Sequence, residues 1–266
     1  MPYGHTTSPS PVCCLTIAGS DSGGGAGIQA DLKTFHAHRT HGLSVITAVT
    51  AQNTRGVTAV HKVPGKHIRA QLEALFDDFP VAAVKIGMLG DAATTRLVAR
   101  LMRRYRPAWL VLDPVMIATS GARLLEDDAV HAMIDELVPL ADILTPNLPE
   151  AEALLGRRIT RHGDFDHAVA ALRAMGADGV LLKGGHAPGD QVVDRFHDAR
   201  GTMQLVHPRL DREGHGTGCT LSSAITAGLA RGDRPRQAVR RATAYVYRAL
   251  DHAYLPGGGG LHVLRH

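Results

Sequence analysis

The sequence predicts a three-layer α/β fold in which a mostly parallel central sheet is flanked by helices. Short β-rich segments alternate with helical segments of about 10 to 15 residues along the chain, which is the pattern of βαβ units. Several predicted strands end in glycine-rich or polar turns, and open parallel sheets bind ligands beyond these strand ends. The 266 residues, 44% of them apolar, can form one domain with a substantial core.

Each element follows from its periodicity and its flanking residues. Strands are predicted over 12–18, 43–51, 57–63, 82–87, 109–112, 142–145, 179–183, 192–197 and 203–208. Helices are predicted over 26–38, 64–79, 91–105, 127–137, 147–155, 164–175, 217–231 and 235–252. Pro64 fits a first helical turn and Asn147 fits a helix N-cap. The proline-rich segment 1–11 and the glycine-rich tail 256–266 are predicted to be flexible, which leaves one domain over 12–255.

The formal net charge of +4 and the pI of about 9.1 do not by themselves indicate a nucleic-acid partner. The densest basic segments, 100–106 and 231–241, lie on predicted amphipathic helices and contain few aromatic residues. Solvated helix faces explain them better than a nucleic-acid surface. A mildly basic protein would also suit a small anionic substrate.

The cysteines and the lengths of the apolar segments predict the cellular compartment. Cys13, Cys14 and Cys219 are an odd set with an adjacent pair, which does not make a disulfide framework and favours a reducing compartment. Segment 1–11 lacks the apolar core of a signal peptide. No apolar run reaches the roughly 18 to 20 residues that span a bilayer. We therefore expect a cytoplasmic protein without a membrane partner.

A glycine-rich loop follows the first predicted strand. Residues 25–30 match the G-x-G-x-x-A pattern of dinucleotide-binding loops. That pattern also needs an acidic residue about 20 positions later, and none occurs over 32–72. No Walker A lysine follows the glycines either. Asp31, one turn into the next helix, can accept a hydrogen bond from a ligand hydroxyl or amine, or it is a solvated residue beside a plain turn.

A second glycine loop, over 214–220, precedes a small-residue helix that carries no charge before Arg231. The backbone N–H groups of Gly216, Thr217, Gly218 and Cys219, together with the helix dipole, would bind an anion. Phosphoryl transfer needs such preorganised donors. A first-turn position is expected to lower the pKa of Cys219, so its thiol could take a proton from a substrate hydroxyl. A small buried apolar residue is the alternative interpretation.

Four polar residues follow three further predicted strands. Asp113 and Glu150 are candidate Mg²⁺ ligands, because Mg²⁺ binds through one or two carboxylates with water and phosphate oxygens. Lys183 is a candidate point charge for an ATP phosphate. Asn147 could contribute to the same site, or act only as the N-cap of its helix with Glu150 at the third helical position; both roles can coexist.

Seven segments of the sequence together resemble one enzyme family. They are 17–35, 50–57, 85–90, 111–116, 145–152, 183–186 and 214–225. In this order they resemble the hydroxymethylpyrimidine and phosphomethylpyrimidine kinases of the ribokinase-like superfamily, over about residues 12–252. The resemblance implies a central, mostly parallel sheet, ATP with Mg²⁺ as phosphoryl donor, a possible monovalent cation, a homodimer, and a small-molecule substrate of thiamine biosynthesis.

The resemblance also implies roles for individual residues. Asp31 and Gln52 would hold the pyrimidine by hydrogen bonds, and Gly19, Met88 and Val115 would line its pocket. Cys219 would be the catalytic base, at the end of the loop that begins at Gly216. Asp113 and Glu150 would serve the metal and phosphate region, and Lys183 would contact an ATP phosphate. The side-chain chemistry of Gln52 is consistent with this role, since an amide offers one acceptor and two donors to the edge of an aminopyrimidine.

Two other functions remain as alternatives. Pyridoxine or pyridoxal would require the same phosphoryl chemistry on a ring of similar size. A nucleotide-binding protein without catalysis would keep the fold but has no need of Asp31, Gln52, Glu150, Lys183 and Cys219 together. Phosphorylation of hydroxymethylpyrimidine and of its monophosphate is the function that the sequence favours.

Overall fold

The computed structural model describes residues 10–116, 126–159 and 162–266. The strands are β1 Cys13–Asp21, β2 His41–Asn53, β3 Gly56–Lys62, β4 Val81–Ile86, β5 Leu110–Leu112, β6 Ile143–Leu144, β7 Gly179–Leu182, β8 Gln191–Asp198, β9 Gly201–Pro208, β10 Gly214–His215 and β11 His262–Val263. The helices are α1 Gly27–Ala37, α2 Gly65–Asp78, α3 Ala92–Tyr105, α4 Asp127–Glu136, α5 Leu148–Leu155, α6 His162–Ala174, α7 Thr217–Ala230 and α8 Pro235–Asp251, with a short 3₁₀ helix at Val138–Leu140.

Nine of these strands form one sheet in the order β3-β2-β1-β4-β5-β6-β7-β8-β9. Its centre, from β2 to β7, is parallel. β3 pairs antiparallel with β2 at one edge, and the hairpin β8–β9 continues the sheet from β7 at the other. The predicted mostly parallel sheet and the predicted hairpin are confirmed. The carboxyl ends of β1, β4, β5, β6 and β7 therefore lie along one edge of the sheet.

Side chains of alternate residues along the parallel strands pack on opposite faces of the sheet. On β1, Leu15 and Ile17 join the larger apolar cluster, which helices α2 to α6 cover. Cys14 faces the other layer and packs against Phe35 of α1 and Ala227 of α7. The third cluster lies between β5 to β8 and helices α7 and α8. The predicted three-layer arrangement is confirmed.

The last residues of the chain differ from the sequence-based expectation. Segment 256–266 was predicted to be flexible, but β11 pairs in parallel with β10, directly before helix α7. Val263 and Leu264 are buried, and the Gly259 N–H donates to the Thr54 hydroxyl at the β2–β3 turn. The glycines permit this path, because a Cβ atom on Gly259 would overlap the carbonyl oxygen of Thr54. Of the predicted flexible segment 1–11, residues 1–9 lie outside the described residues.

Candidate active site

A cavity of about 940 Å³ opens at the carboxyl ends of the parallel strands and at the N-terminus of α7. Nearly all of the predicted site residues line it: Gly19, Gln52, Met88, Asp113, Val115, Asn147, Glu150, Lys183, Gly216, Thr217, Gly218 and Cys219. Residues far apart in the sequence meet here because each follows a strand that ends at the same edge of the sheet. Asp31 is the predicted site residue that does not line the cavity.

The loop before α7 exposes its backbone donors to this cavity. Gly216, the N-cap residue, has φ of 84° and contributes no side-chain cap. A Cβ atom on Gly216 would overlap the carbonyl oxygen of Gly25, so the two glycine loops lie directly against each other. The residues of the first turn of α7 are part of the cavity wall. An anion at the predicted position would meet these N–H groups and the positive end of the helix dipole.

Lys183 lies between two carboxylates under this loop. Its Nζ atom is 3.2 Å from Asp113 Oδ1 and 3.7 Å from Glu150 Oε2. A Cβ atom on Gly218 would lie 3.1 Å from Lys183 Nζ, so the ammonium group is directly beside the first turn of α7. Burial would lower the pKa of Lys183, but the charges of Asp113 and Glu150 outweigh it and raise that pKa. The lysine therefore carries a positive charge beside the position that is predicted to bind an anion.

Asp113 is itself held by hydroxyl groups. Thr145 Oγ1 and Ser222 Oγ donate to its two carboxylate oxygens, each over 3.3 Å. Glu150 completes a reciprocal capping box at the start of α5, in which its side chain accepts from the Asn147 N–H and its own N–H donates to Asn147 Oδ1. The predicted N-cap role of Asn147 is confirmed. Burial raises the pKa of Glu150 to about 7; Lys183 opposes this shift and Asp113 adds to it.

These carboxylates fit a Mg²⁺ ion that is bound together with a nucleotide. Within the described ranges, no group of three or more histidine, cysteine, aspartate or glutamate side chains could hold a metal by itself. Mg²⁺ usually takes one or two carboxylates and fills its other positions with water and phosphate oxygens. Asp113 and Glu150 supply that number. Burial and, to a lesser extent, the charge of Asp113 raise the pKa of Glu150, and a bound cation would favour its ionised form.

Cys219 lies where the two glycine loops meet, and the Gly27 N–H donates to its sulfur. Burial raises the pKa of the thiol to about 12, an effect that Lys85 and the Gly27 N–H oppose. The sequence-based expectation of a lowered pKa is therefore wrong for this environment. The negative charges of Asp31 and Asp113 raise the pKa of Cys219 further. The position of Cys219 in the helix does not predict that these two carboxylates lie nearby.

Asp31 is fully buried between β1, β4 and α7, away from the cavity. Lys85 Nζ donates to both of its carboxylate oxygens, over 3.0 and 2.9 Å. The hydroxyls of Thr16 and Ser223 donate to them as well, over 2.6 and 2.7 Å. The expectation that Asp31 contacts the substrate is thus not met, because α1 packs this face onto the sheet. Its partner in the core is a fully buried lysine.

Sequence reasoning missed Lys85 as a site residue, although its signal was present. A lysine within the apolar strand β4 needs a buried anionic partner. Burial would lower the pKa of Lys85, but the negative charge of Asp31, its closest partner, outweighs burial and raises that pKa above its ordinary value. Lys85 also lines the cavity floor. It therefore brings a second positive charge close to Cys219.

Asp21 and His215 form a second polar group that the sequence analysis did not assign. Asp21 accepts from the N–H groups of Gly23, Gly25 and Ala26, which holds the first glycine loop in place. His215 Nε2 lies 2.9 Å from Asp21 Oδ2 and 3.2 Å from the Gln52 amide. Burial would raise the pKa of Asp21, but His215 and the backbone donors lower it.

Gly19, Met88 and Val115 give the cavity lining an apolar part. A Cβ atom on Gly19 would lie 3.0 Å from Met88 Sδ, so the glycine leaves room for this side chain. The Thr47 hydroxyl donates to the Met88 carbonyl over 2.6 Å and fixes the backbone there. Met88, Val115 and Gln52 line the same cavity, so it offers both apolar surface and an amide group.

An anion loop at a helix N-terminus, a charged lysine, paired carboxylates and a thiol within one cavity define a phosphotransferase of the α/β class. The phosphomethylpyrimidine kinase family matches residues 21–263 of this chain. The chain belongs to this family and is a kinase.

Individual relatives agree with this assignment. The chain is 51% identical to a hydroxymethylpyrimidine/phosphomethylpyrimidine kinase of Rhizobium meliloti over 90% of each protein. It is similar to the structure of phosphomethylpyrimidine kinase from Clostridium difficile, with 46% identity, a TM-score of 0.80 and coverage of 90% of this chain and 99% of that one. It also resembles the ADP complex of pyridoxal kinase from Bacillus subtilis, with 33% identity, a TM-score of 0.90 and coverage of 97% and 98%.

The contact between the two glycine loops is testable by substitution. Gly216→Ala combines a positive φ with a clash against the Gly25 carbonyl oxygen, so the anion loop must move. We expect at least a tenfold loss of kcat/KM for ATP, because the backbone N–H groups of a displaced loop no longer contact the transition state. Steady-state kinetics and thermal unfolding would measure the effect.

Gly232→Ala is the matched control. Gly232 has φ of 91° but nothing within 4 Å of an added Cβ atom, so it isolates the cost of the backbone conformation. That cost is about 1 kcal/mol, or roughly 2–4 °C in Tm for a chain of this size, with activity preserved. Equal kinetics in the two variants would contradict the proposed contact.

Proposed function

We propose that this kinase transfers the γ-phosphate of ATP to 4-amino-5-hydroxymethyl-2-methylpyrimidine and to its monophosphate in thiamine biosynthesis. One observation carries the proposal: Lys183, Cys219 and the N-terminus of α7 line the same cavity as Gln52, Met88 and Val115. We assign the first group to the phosphate and the second to the ring, and this assignment defines the phosphate end and the ring end that a kinase for a small heterocyclic alcohol requires.

At the phosphate end, the protein supplies positive charge and backbone donors. Lys183 would contact a phosphate of ATP, because its ammonium group lies beside the first turn of α7. The N–H groups of Thr217, Gly218 and Cys219 would stabilise charge on the transferring group. Asn147 also lines the cavity, forms a backbone bridge with Lys183 and would approach the nucleotide from the start of α5. These positions would align the phosphoryl group with the substrate hydroxyl.

A Mg²⁺ ion would be held by Asp113 and Glu150 together with phosphate oxygens. When bound, such an ion neutralises phosphate charge during transfer. The residues themselves prepare this position, since Thr145 and Ser222 orient Asp113 and the capping box orients Glu150. Use of a monovalent cation is part of the same proposal.

At the ring end, Gln52 would read the edge of the pyrimidine. Its amide offers an acceptor and donors, which match an exocyclic amine and a ring nitrogen. Met88 and Val115 would contact the ring faces, and Gly19 would allow the ring to approach the backbone. Asp31 has a supporting role in this scheme, because it holds Lys85 in the cavity floor.

Cys219 would accept the proton of the substrate hydroxyl as the phosphoryl group is transferred. The raised pKa of the free thiol requires help from nearby positive charge. Lys85 lowers that pKa, and Lys183 is a second buried charged amine in the same region. The thiolate form of Cys219 would take the proton and become the neutral thiol.

Pyridoxal is the second candidate substrate, favoured by the structural similarity to a pyridoxal kinase. Turnover of hydroxymethylpyrimidine, its monophosphate and pyridoxal should be compared side by side with ATP and Mg²⁺. We expect both pyrimidines to be phosphorylated and pyridoxal to lag by orders of magnitude. Faster turnover of pyridoxal would overturn the proposed substrate, and turnover of none of the three would overturn the proposed activity.

Gln52→Met is expected to change substrate selectivity. Methionine keeps the length of the side chain but removes both hydrogen-bonding groups, so the pyrimidine loses its polar partner while an apolar contact remains. The ratio of kcat/KM for hydroxymethylpyrimidine to that for pyridoxal should fall roughly 10- to 100-fold. Gln204→Met, on the exposed side of β9, is the control. Unchanged selectivity in Gln52→Met would show that Gln52 does not recognise the pyrimidine ring.

A homodimer and a cytoplasmic location complete the proposal. β3 is an edge strand, and Val49 and Val60 of the β2–β3 hairpin are 48% and 42% exposed; exposed apolar edges favour association. Analytical ultracentrifugation would decide the oligomeric state. All three cysteines are free, as expected of a reducing compartment. In the part of the chain that the structure describes, no helix has the length and apolar character needed to cross a membrane.

A further inference from the structure

The amide group of Gln52 lies between two polar side chains, Thr50 and His215. One end of the amide is 3.2 Å from Thr50 Oγ1, and the other is 3.2 Å from His215 Nε2. An amide oxygen and an amide nitrogen have nearly the same shape, so the hydrogen-bond partners decide which end is which. The protons available at these two partners therefore determine how Gln52 faces the cavity.

Thr50 is compatible with an NH₂ group at the amide end beside it. Its hydroxyl has a single proton, and the carbonyl oxygen of Ser20 accepts that proton over 2.9 Å. The lone pairs of Thr50 Oγ1 can then accept from Gln52.

His215 leads independently to the same orientation. Asp21 Oδ2 can only accept, and it lies 2.9 Å from His215 Nε2, so this ring nitrogen carries a proton. An amide NH₂ facing the same nitrogen would place two donors against each other. The amide oxygen must face His215, which shares its Nε2 proton between Asp21 and Gln52.

We infer that His215 is a positioning residue for substrate recognition, which sets the orientation of the Gln52 amide through its Nε2 proton. This inference rests on the proposed function. Gln52 then presents an acceptor on the His215 side of the cavity and a donor on the Thr50 side. Its ligand is a ring with an exocyclic amine next to a ring nitrogen, bound with the amine toward His215.

The surroundings of His215 suit this role. Asp21, its anionic partner, is buried and bonded to three backbone N–H groups of the first glycine loop. The imidazole ring packs directly against Gly25, where a Cβ atom would overlap it. Val263 of β11 lies on the same side of Gly25. The ring of His215 is thus fixed in place, and the next residue, Gly216, begins the anion loop.

The test separates orientation of Gln52 from general damage to the site. His215→Leu removes the donor, and His215→Gln replaces it with an amide N–H at a similar position. For His215→Leu we expect KM for hydroxymethylpyrimidine to rise about tenfold, with kcat and KM for ATP changed less than about threefold. The selectivity for pyrimidine over pyridoxal should fall about tenfold. His215→Gln should restore most of that selectivity.

Two further variants keep the test decisive. Thr50→Val preserves shape and removes the acceptor for Gln52, so it should lower selectivity in the same direction even where His215→Leu fails to fold. His197→Leu, on β8 away from the cavity, controls for loss of a histidine. Equal losses on both substrates, or no rescue by His215→Gln, would overturn the inference. Absence of pyrimidine turnover in the wild-type enzyme would instead overturn the proposed function.

Discussion

Replacing Cys219 by alanine is expected to lower kcat by roughly 10²- to 10⁴-fold, the range typical of a lost general base. The variant should keep KM for both substrates within about threefold, since the backbone donors of the anion loop and Gln52 are unchanged. Steady-state kinetics would measure kcat, and titration calorimetry would confirm that the pyrimidine still binds. Cys13→Ala, in the core strand β1, is the control. A near-normal kcat in Cys219→Ala would show that Cys219 is not the catalytic base and that its loop serves only to bind an anion.

The pH dependence of kcat/KM is a second test of the role of Cys219. Burial raises the pKa of the Cys219 thiol to about 12, so the thiolate fraction of the free enzyme grows throughout the neutral range. We expect kcat/KM to increase from about pH 6 to about pH 9, because this ratio reports the free enzyme. Cys219→Asp, whose carboxylate is already ionised there, should give a flatter profile. A flat wild-type profile would contradict the assignment.

Replacing Lys85 by methionine should produce the largest loss of stability. Asp31 would then be a buried carboxylate without its cation, and breaking a buried pair costs about 3–5 kcal/mol. At about 2–4 °C per kcal/mol, Tm should fall by roughly 10 °C. Thermal unfolding would measure this change. Lys62→Met removes an ion pair with Asp91 and Glu126 whose lysine is 43% exposed, and should cost less than about 1 kcal/mol.

The loss of stability in Lys85→Met should depend on pH, and the direction of that dependence follows from Asp31. Burial raises the pKa of Asp31 in the folded protein. Without Lys85 the opposing positive charge is gone, and only the hydrogen bonds from Thr16 and Ser223 still lower that pKa. A carboxyl whose folded pKa exceeds its unfolded value stabilises at low pH, and that contribution is lost as pH rises through the folded pKa. Lys85→Met should therefore lose less stability near pH 5 than near pH 8. A second substitution, Asp31→Asn, should recover much of the loss at neutral pH. An equal loss at both pH values would contradict an unpaired Asp31.

Much of the fold and part of the site could be predicted from the sequence because their signals are local. The capping box of Asn147 and Glu150 needs only the spacing of two side chains along a helix. The anion loop needs only glycines before an apolar helix. The convergence of Asp113 and Lys183 needs only the rule that parallel strands end at one edge of a sheet.

Other features depend on burial and on partners remote in the sequence. Asp31 was predicted to face the substrate, yet it lies opposite Lys85, 54 residues away. His215 meets Asp21 across 194 residues. The tail 256–266 was predicted to be flexible from its glycines, but those glycines allow it to pack against the turn at Thr54.

The sequence by itself determined the order of strands and helices, the position of the ligand-binding edge and the class of chemistry at that edge. These depend on hydrophobic periodicity and on backbone rules that act over a few residues. Only the tertiary structure decided which charged groups are buried together, how the Cys219 pKa shifts, and how Gln52 is oriented. The reason is that electrostatic energies depend on desolvation and on distances between groups, and chain folding sets both.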